Sequence, residues 1–285
     1  MFFFLLAVVD FVHFTDTHVI KLDGIHPEIA AARASNGPSR ATLEKFVAAF
    51  KPGSAAFAIH TGDMIDAWCF DTASGAPVYG QIESFTRPAS KLPVKLYPVL
   101  GNHDVECYRR NPKNPQAPVG DQSVAAQTRQ AWRKSLPGFK KGTYYSFAKR
   151  VDGTRYRFVI LDNGEAAQSN LNAQMAWLSG ELKKFPKDKV VLALHIPIGA
   201  SDLFSKSLAA AVSGSSSVVM ILCGHRHTDD ISPIALGASK PVQVRTSAMF
   251  KGADQWRRIR LHKDKIEVSA TGMPDKVAAT IAVAP

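Results

Sequence analysis

Val218-Val219-Met220-Ile221-Leu222-Cys223-Gly224-His225-Arg226-His227 sets six apolar residues directly before a turn that carries two imidazoles. A run this short and uniformly apolar reads as a buried strand that empties into a polar loop. The same arrangement occurs four more times upstream. Phe11–Thr15 leads into Asp16-Thr17-His18, and Phe57–His60 into Gly62-Asp63-Met64-Ile65-Asp66. Leu96–Leu100 leads into Gly101-Asn102-His103-Asp104, and Val190–His195 ends on a histidine with Pro197 just beyond. Further strands are expected over Tyr144–Ala148, Tyr156–Asp162, Val242–Thr246, Trp256–Leu261 and Ile266–Ala270. Helical stretches fall between many of these. One covers Arg40–Phe50, behind a Ser39 cap and stopped by Pro52-Gly53. Others cover Gln122–Ser135, Asn172–Phe185 and Asp202–Val212; in the second of these three, Met175, Leu178 and Leu182 recur at helical spacing. Strands and helices alternate early, whereas the last three strands follow one another, so the expected fold is an α/β core with a partly antiparallel second half. In such sheets ligands bind at the carboxyl ends of the strands, the edge all five clusters would share.

In ligand positions the clusters offer two carboxylates, one amide and four imidazoles. Nitrogen and oxygen donors without sulfur suit divalent Mn, Fe, Zn or Co. Singly, each residue has an ordinary reading: Asp16 and Asp63 as turn formers, His195 as a satisfied core histidine. Five clusters together, each at a strand end, outweigh those readings. His13 and His60 fall outside the ligand pattern and are expected to be structural, and Cys223 to be a small buried strand residue. Arg109, Arg110 and Lys113 follow closely enough either to meet substrate phosphate or to form a solvated basic loop. Tyr108 is open between base stacking and ordinary packing, and Gly199–Phe204 could form part of a substrate rim.

Composition sets the outer bounds. In 285 residues, 35 Lys and Arg against 24 Asp and Glu leave a net charge of +11, which favours an anionic partner without choosing among nucleic acid, lipid and phosphorylated metabolite. An apolar content of 46% excludes a disordered chain. Cys69, Cys107 and Cys223 are too few and scattered for a disulfide scaffold or a cysteine zinc module. Met1–Val9 is apolar but far too short to span a bilayer. It has no leading basic residue, so it reads as a buried first strand, with a targeting segment as the alternative. A cytoplasmic location is expected, and export follows if that run is a signal remnant. Asn111–Pro118 reads as a long surface loop, and no linker divides the chain.

In order along the chain, the clusters spell DxH, GDxxD, GNHD, a lone His and GHxH. This pattern resembles the calcineurin-like metallophosphoesterases. Tyr144–Phe147, Phe158–Asn163 and Gln174–Leu182, a strand pair followed by a Q-x-x-W-L helix, look like that family's middle region. The resemblance implies one catalytic domain over residues 1–285, folded as a four-layer α/β/β/α sandwich of two facing mixed sheets flanked by helices. It implies two divalent metal ions, one held by Asp16, His18, Asp63 and His227, the other by Asp63, Asn102, His195 and His225, with Asp63 bridging. A bridging hydroxide would then attack a phosphate mono- or diester, most simply of a small molecule or nucleotide, as in bacterial class III cyclic-nucleotide phosphodiesterases. His103 is implied as the acid at the leaving group, with Asp104 expected to orient it. Asp66 stands where purple acid phosphatases carry an iron-binding Tyr, and is expected to support the site rather than bind metal. Repair nucleases share the five clusters but carry an added DNA-capping domain, and only 58 residues follow His227 here. A nuclease is therefore the second choice. A non-catalytic scaffold ranks third, because none of the clusters is lost.

Overall fold

Successive residues of the central strands belong to different cores, and this sorts the chain into layers. In β1 (Val9–Phe14), Phe11 joins one apolar cluster while Val12 and Phe14 join another. In β2 (Phe57–Thr61), Phe57 and Ile59 share the cluster of Phe11, and Ala58 that of Val12. Alternation of this kind is what a strand buried on both faces requires. The same division holds in β9 (Thr154–Ile160), β10 (Lys189–Ala193) and β11 (Val218–Cys223). There Phe158, Val191 and Met220 meet Phe11 and Phe57, while Val159, Leu192 and Ile221 turn to a third cluster.

The computed structural model describes residues 8–199 and 202–283. One six-stranded sheet runs β16-β15-β14-β1-β2-β5, where β5 is Lys95–Val99, β14 Trp256–Leu261, β15 Lys265–Ala270 and β16 Met273–Ala282. The other runs β12-β13-β11-β10-β9-β8, with β8 at Tyr145–Val151, β12 at Asp230–Pro233 and β13 at Val242–Arg245. The first apolar cluster fills the space between these sheets. On the outer face of the first sheet lie α2 (Ser39–Ala49), α3 (Gln81–Ala89) and α4 (Ala125–Ser135), through Leu43, Phe85 and Trp132. On the outer face of the second lie α5 (Leu171–Lys184) and α6 (Leu203–Ala211), through Leu178 and Leu208. The result is the four-layer α/β/β/α sandwich. Because β1, β2 and β5 are parallel, as are β10 and β11, their carboxyl ends gather at one rim in each sheet.

Several elements were not anticipated. They include the short α1 (Pro27–Ala32) and a third, four-stranded sheet ordered β4-β3-β6-β7. Its strands are Cys69–Asp71 (β3), Pro77–Val78 (β4), Cys107–Arg109 (β6) and Val119–Asp121 (β7). The cysteines, expected to be too few and scattered for a disulfide scaffold, do form one bridge, Cys69 to Cys107 across β3 and β6; Cys223 is free and buried. Ser39 sits inside α2 rather than capping it, since Pro38 holds the cap position. Asp202 does cap α6, accepting from the Ser205 amide at 2.8 Å. Val9 opens β1, while residues 1–7 of the expected first strand lie outside the described residues. No helix among the described residues is long and apolar enough to cross a membrane.

Candidate metal centre

Three of the five clusters leave their strands through turns that ordinary residues avoid. Asp16, His18, Asp63, His225 and His227 have φ of 51°, 42°, 55°, 69° and 56°, and they are five of the seven non-glycine residues at positive φ among those described. Left-handed backbone costs roughly 1–2 kcal/mol per residue, so it persists only where surrounding structure enforces it. Here the loops enforce it on one another. The Asp16 amide donates to Gly62 O at 3.0 Å, His18 to Asp63 O at 2.9 Å, and Gly224 to His195 O at 3.0 Å. Gly224 is required for space: a Cβ there would lie 2.0 Å from Thr15 Oγ1 and 2.3 Å from Asp16 Oδ2.

These turns aim donor atoms at two adjoining points. Around the first, His18 Nε2 lies 3.1 Å from His227 Nε2 and 3.6 Å from Asp63 Oδ2, and His227 Nε2 lies 3.3 Å from Asp16 Oδ1. Around the second, His195 Nε2 lies 3.1 Å from both Asp63 Oδ2 and Asn102 Oδ1, and His225 Nδ1 lies 3.0 Å from Asn102 Oδ1. His225 Nδ1 and His195 Nε2 are themselves 3.2 Å apart. Asp63 Oδ2 belongs to both groups. The far nitrogens are already used: His18 Nδ1 faces Asp66 Oδ1 at 3.2 Å, and His195 Nδ1 donates to Thr61 O at 2.8 Å. Such partners fix a ring so that its other lone pair points inward. Two pairs of inward ring nitrogens, with carboxylate and amide oxygens between them, are a donor set that could hold cations. Clefts of about 550 and 640 Å³ elsewhere on the surface contain none of these side chains.

Without a cation, the site stores protons. Burial opposes charging His18, but the nearby Asp16 and Asp66 carboxylates, the latter in hydrogen-bond contact, and the Asp63 charge push it up to about 10. His195 rises to about 9 against its burial, mainly through the Asp63 charge. His225, half-buried and beside His195, is pushed down to about 4. Burial likewise opposes ionising Asp16 and Asp63. Hydrogen bonds from His18 and His227 hold Asp16 well below the carboxylate range, and the charges of His195 and His103 do so for Asp63.

The calcineurin-like phosphoesterase family model matches residues 9–229, a span that includes every one of these clusters. The chain belongs to the calcineurin-like phosphoesterase family. Its fold is similar to a dimetal phosphatase from Danio rerio, at 12% identity and a TM-score of 0.64 over 97% of this chain and 99% of that one. It is also similar to a purple acid phosphatase from yellow lupin (Lupinus luteus) seeds, at 14% identity and a TM-score of 0.54. That match covers 98% of this chain but 54% of the lupin enzyme. No curated protein sequence gives a significant match.

In this phosphoesterase, His103 sits beside the shared carboxylate, its Nε2 3.9 Å from Asp63 Oδ2 and its amide donating to Asp63 Oδ1 at 3.0 Å. Burial lowers its pKa. The expected hydrogen bond from Asp104 is not made. Asp104 points away into the protein, accepting from the amides of Ile65 at 3.1 Å and Gly101 at 2.8 Å. It ties the two loops together, and burial with the nearby Asp63 charge pushes it up to about 7. The groups that do meet His103 Nδ1 are Asp66 O at 2.9 Å, Tyr108 Oη at 2.9 Å and Glu106 Oε1 at 3.3 Å. Asp66 supports the site, holding His18, Arg33 and Asn36.

Sequence reading missed Glu106 and Phe250, whose ring packs against His18 and His227 at 5.3 and 5.1 Å between centroids. Nothing in their local sequence signals this. Arg109 pairs with Asp71 and Asp121, and Arg110 with Glu28, so both are held in ion pairs. Lys113 lies in the exposed loop. Tyr108 is buried, edge-on to Phe70 and with the Arg33 guanidinium 5.2 Å from its ring centroid, so it is packed in the interior rather than open to a base. His13 is bonded by Thr61 and Thr246, and His60 by Thr17. Burial pushes both down to about 3, so they are neutral core groups. Of Gly199–Phe204, residues 200 and 201 lie outside the described residues.

Proposed function

We propose that this phosphoesterase hydrolyses phosphate mono- or diesters of small molecules or nucleotides with two divalent cations. One would be held by Asp16, His18, Asp63 and His227, the other by Asp63, Asn102, His195 and His225. The observation that carries this reading is the single oxygen, Asp63 Oδ2, common to two groups of convergent donors. Two ions sharing a carboxylate supply Lewis acidity and a nucleophile that is active near neutral pH. The chain does the rest. Asp66 and the Thr61 carbonyl hold the ring planes of His18 and His195. Asn102 offers a neutral oxygen where a further carboxylate would cancel positive charge needed for an anionic ester. His103, with Nδ1 engaged and Nε2 toward the shared carboxylate, is placed to give a proton to the departing oxygen.

The nitrogen and oxygen donors suit Mn, Fe, Zn or Co. The Cys69–Cys107 disulfide supports an oxidising compartment over the cytoplasm expected from the sequence. The test is metal-reconstituted protein offered phosphate mono- and diesters, cyclic nucleotides and single-stranded DNA. Turnover of small esters, abolished by exhaustive chelation, is the expected result. Exclusive cleavage of DNA with a steep salt dependence would establish the nuclease instead. Hydrolysis of none would return the chain to the scaffold reading.

A further inference from the structure

Glu106 is a buried carboxyl that the proposed chemistry leaves without a task. Among the described residues the one basic side chain within 4 Å of it is His103, whose Nδ1 lies at 3.3 Å. The other charged groups that face it are Asp63, Asp66, His18 and Arg33. A lone buried carboxyl is costly, and apolar filling of the same space would avoid that cost. Beside it, Tyr108 brings its hydroxyl to the same ring nitrogen at 2.9 Å. We propose that Glu106 and Tyr108 are positioning residues that lock the His103 ring with its Nε2 edge toward the reacting ester. The proposal rests on His103 acting at the leaving group.

The third sheet is the frame that holds this pair. Strand alternation puts Glu106 and Tyr108 on the side of His103 and Cys107 on the other, where it is bonded to Cys69. The Glu106 carbonyl accepts from the Trp68 amide at 2.8 Å. On β7, Gly120 pairs with Tyr108, and a Cβ at Gly120 would lie 2.6 Å from Glu106 Oε2. The glycine thus leaves room for the carboxyl to reach His103. Asp66 O can only accept, so Nδ1 carries a proton. Nε2 is then the atom that gains or gives one. Burial, followed by the Asp63 and Asp66 charges, pushes the carboxyl up to about 8, in keeping with a group whose place is fixed by the fold.

The test uses Glu106→Gln, Tyr108→Phe and Gly120→Ala. The last removes no polar group and moves only the carboxyl, since Gly120 lies outside the positive-φ glycines and its strand accepts alanine. Each variant is expected to bind metal as the parent does and to keep its KM. Each should lose about tenfold or more in kcat on alkyl phosphate esters, and clearly less on nitrophenyl esters, which depart without a proton. Equal losses on both ester types, a change confined to KM, or loss of metal would overturn the proposal. A second readout needs no turnover: NMR relaxation of the histidine rings in the metal-free protein should show the His103 ring rigid in the parent and markedly more mobile in Glu106→Gln and Tyr108→Phe, while Asp66 O keeps the proton on Nδ1 in all three. Unchanged ring mobility in both variants would overturn it even with an inactive parent. Failure of His103→Ala to alter leaving-group dependence would instead sink the role of His103 while leaving the spectra to decide the positioning.

Discussion

Loading the metal-free protein with cation should expel protons, and the structure says which ones. His18 and His195, raised to about 10 and 9, both carry a proton at pH 7 when no cation is present. The nitrogens they aim into the site must give it up to act as ligands. Asp16 and Asp63, with lowered pKa values, are already ionised, and His225, at about 4, is already neutral. These three release nothing. At least two protons per chain should therefore leave, from His18 and His195. Each makes the loading constant rise tenfold per pH unit, about 1.4 kcal/mol, so the pair gives about 100-fold per unit. From pH 6 to pH 8 the overall loading constant should rise by about four orders of magnitude. The sign follows from the raised pKa values. Low pH favours the protonated, metal-free form, and metal binding strengthens as pH rises. The same shifts make these histidines stabilise the metal-free fold most below pH 6.5, with that contribution lost as pH climbs through 9 to 10. Titration calorimetry with Mn²⁺ or Zn²⁺ in buffers of different ionisation enthalpy counts the protons directly. No net release, together with a loading constant flat between pH 6 and 8, would refute the reasoning.

Asp66→Ala removes the acceptor that holds His18, Arg33 and Asn36, and should weaken metal binding by roughly 10- to 100-fold. It should also cost about 3 kcal/mol in urea unfolding, the low end for a broken buried pair, because the Arg33 side chain is 24% exposed. Unchanged affinity would remove Asp66 from the site. Gly224→Ala should displace Asp16 and cost about 1–3 kcal/mol by overpacking, seen as a lower unfolding midpoint together with lost metal. Cys69→Ser opens a crosslink between residues 38 apart, and should lower stability by up to about 4 kcal/mol in denaturant titrations. Equal stability of reduced and oxidised protein would show that the bridge contributes nothing.

The part of the fold legible in the sequence is the part written in short-range chemistry. An apolar run ending in glycine, aspartate or histidine announces a strand feeding a tight polar turn, and β11 and β14 fall at the bounds so expected. The third sheet was invisible because its strands are two or three residues long and carry no periodicity. β16 was missed because most of its ten residues are exposed, which leaves no apolar face to read. Asp104 shows how adjacency misleads: residues 103–105 form one turn of 3₁₀ helix, which sends neighbouring side chains in different directions. His103 turns to the site and Asp104 to the amides behind it. The partners His103 does have are the Asp66 carbonyl, Glu106 just before β6 and Tyr108 within it. The net charge was legible as a number but not as a location, since Arg109 and Arg110 are bound to carboxylates within the third sheet and α1.

The central claim is that Asp63 joins two cation sites, and metal stoichiometry tests it most directly. Purified protein loaded with Mn²⁺ or Zn²⁺, desalted and measured by elemental analysis, should hold two ions per chain. Asp63→Ala, its fold checked by circular dichroism, should hold none tightly. One ion in the parent, or two retained in Asp63→Ala, would contradict the account.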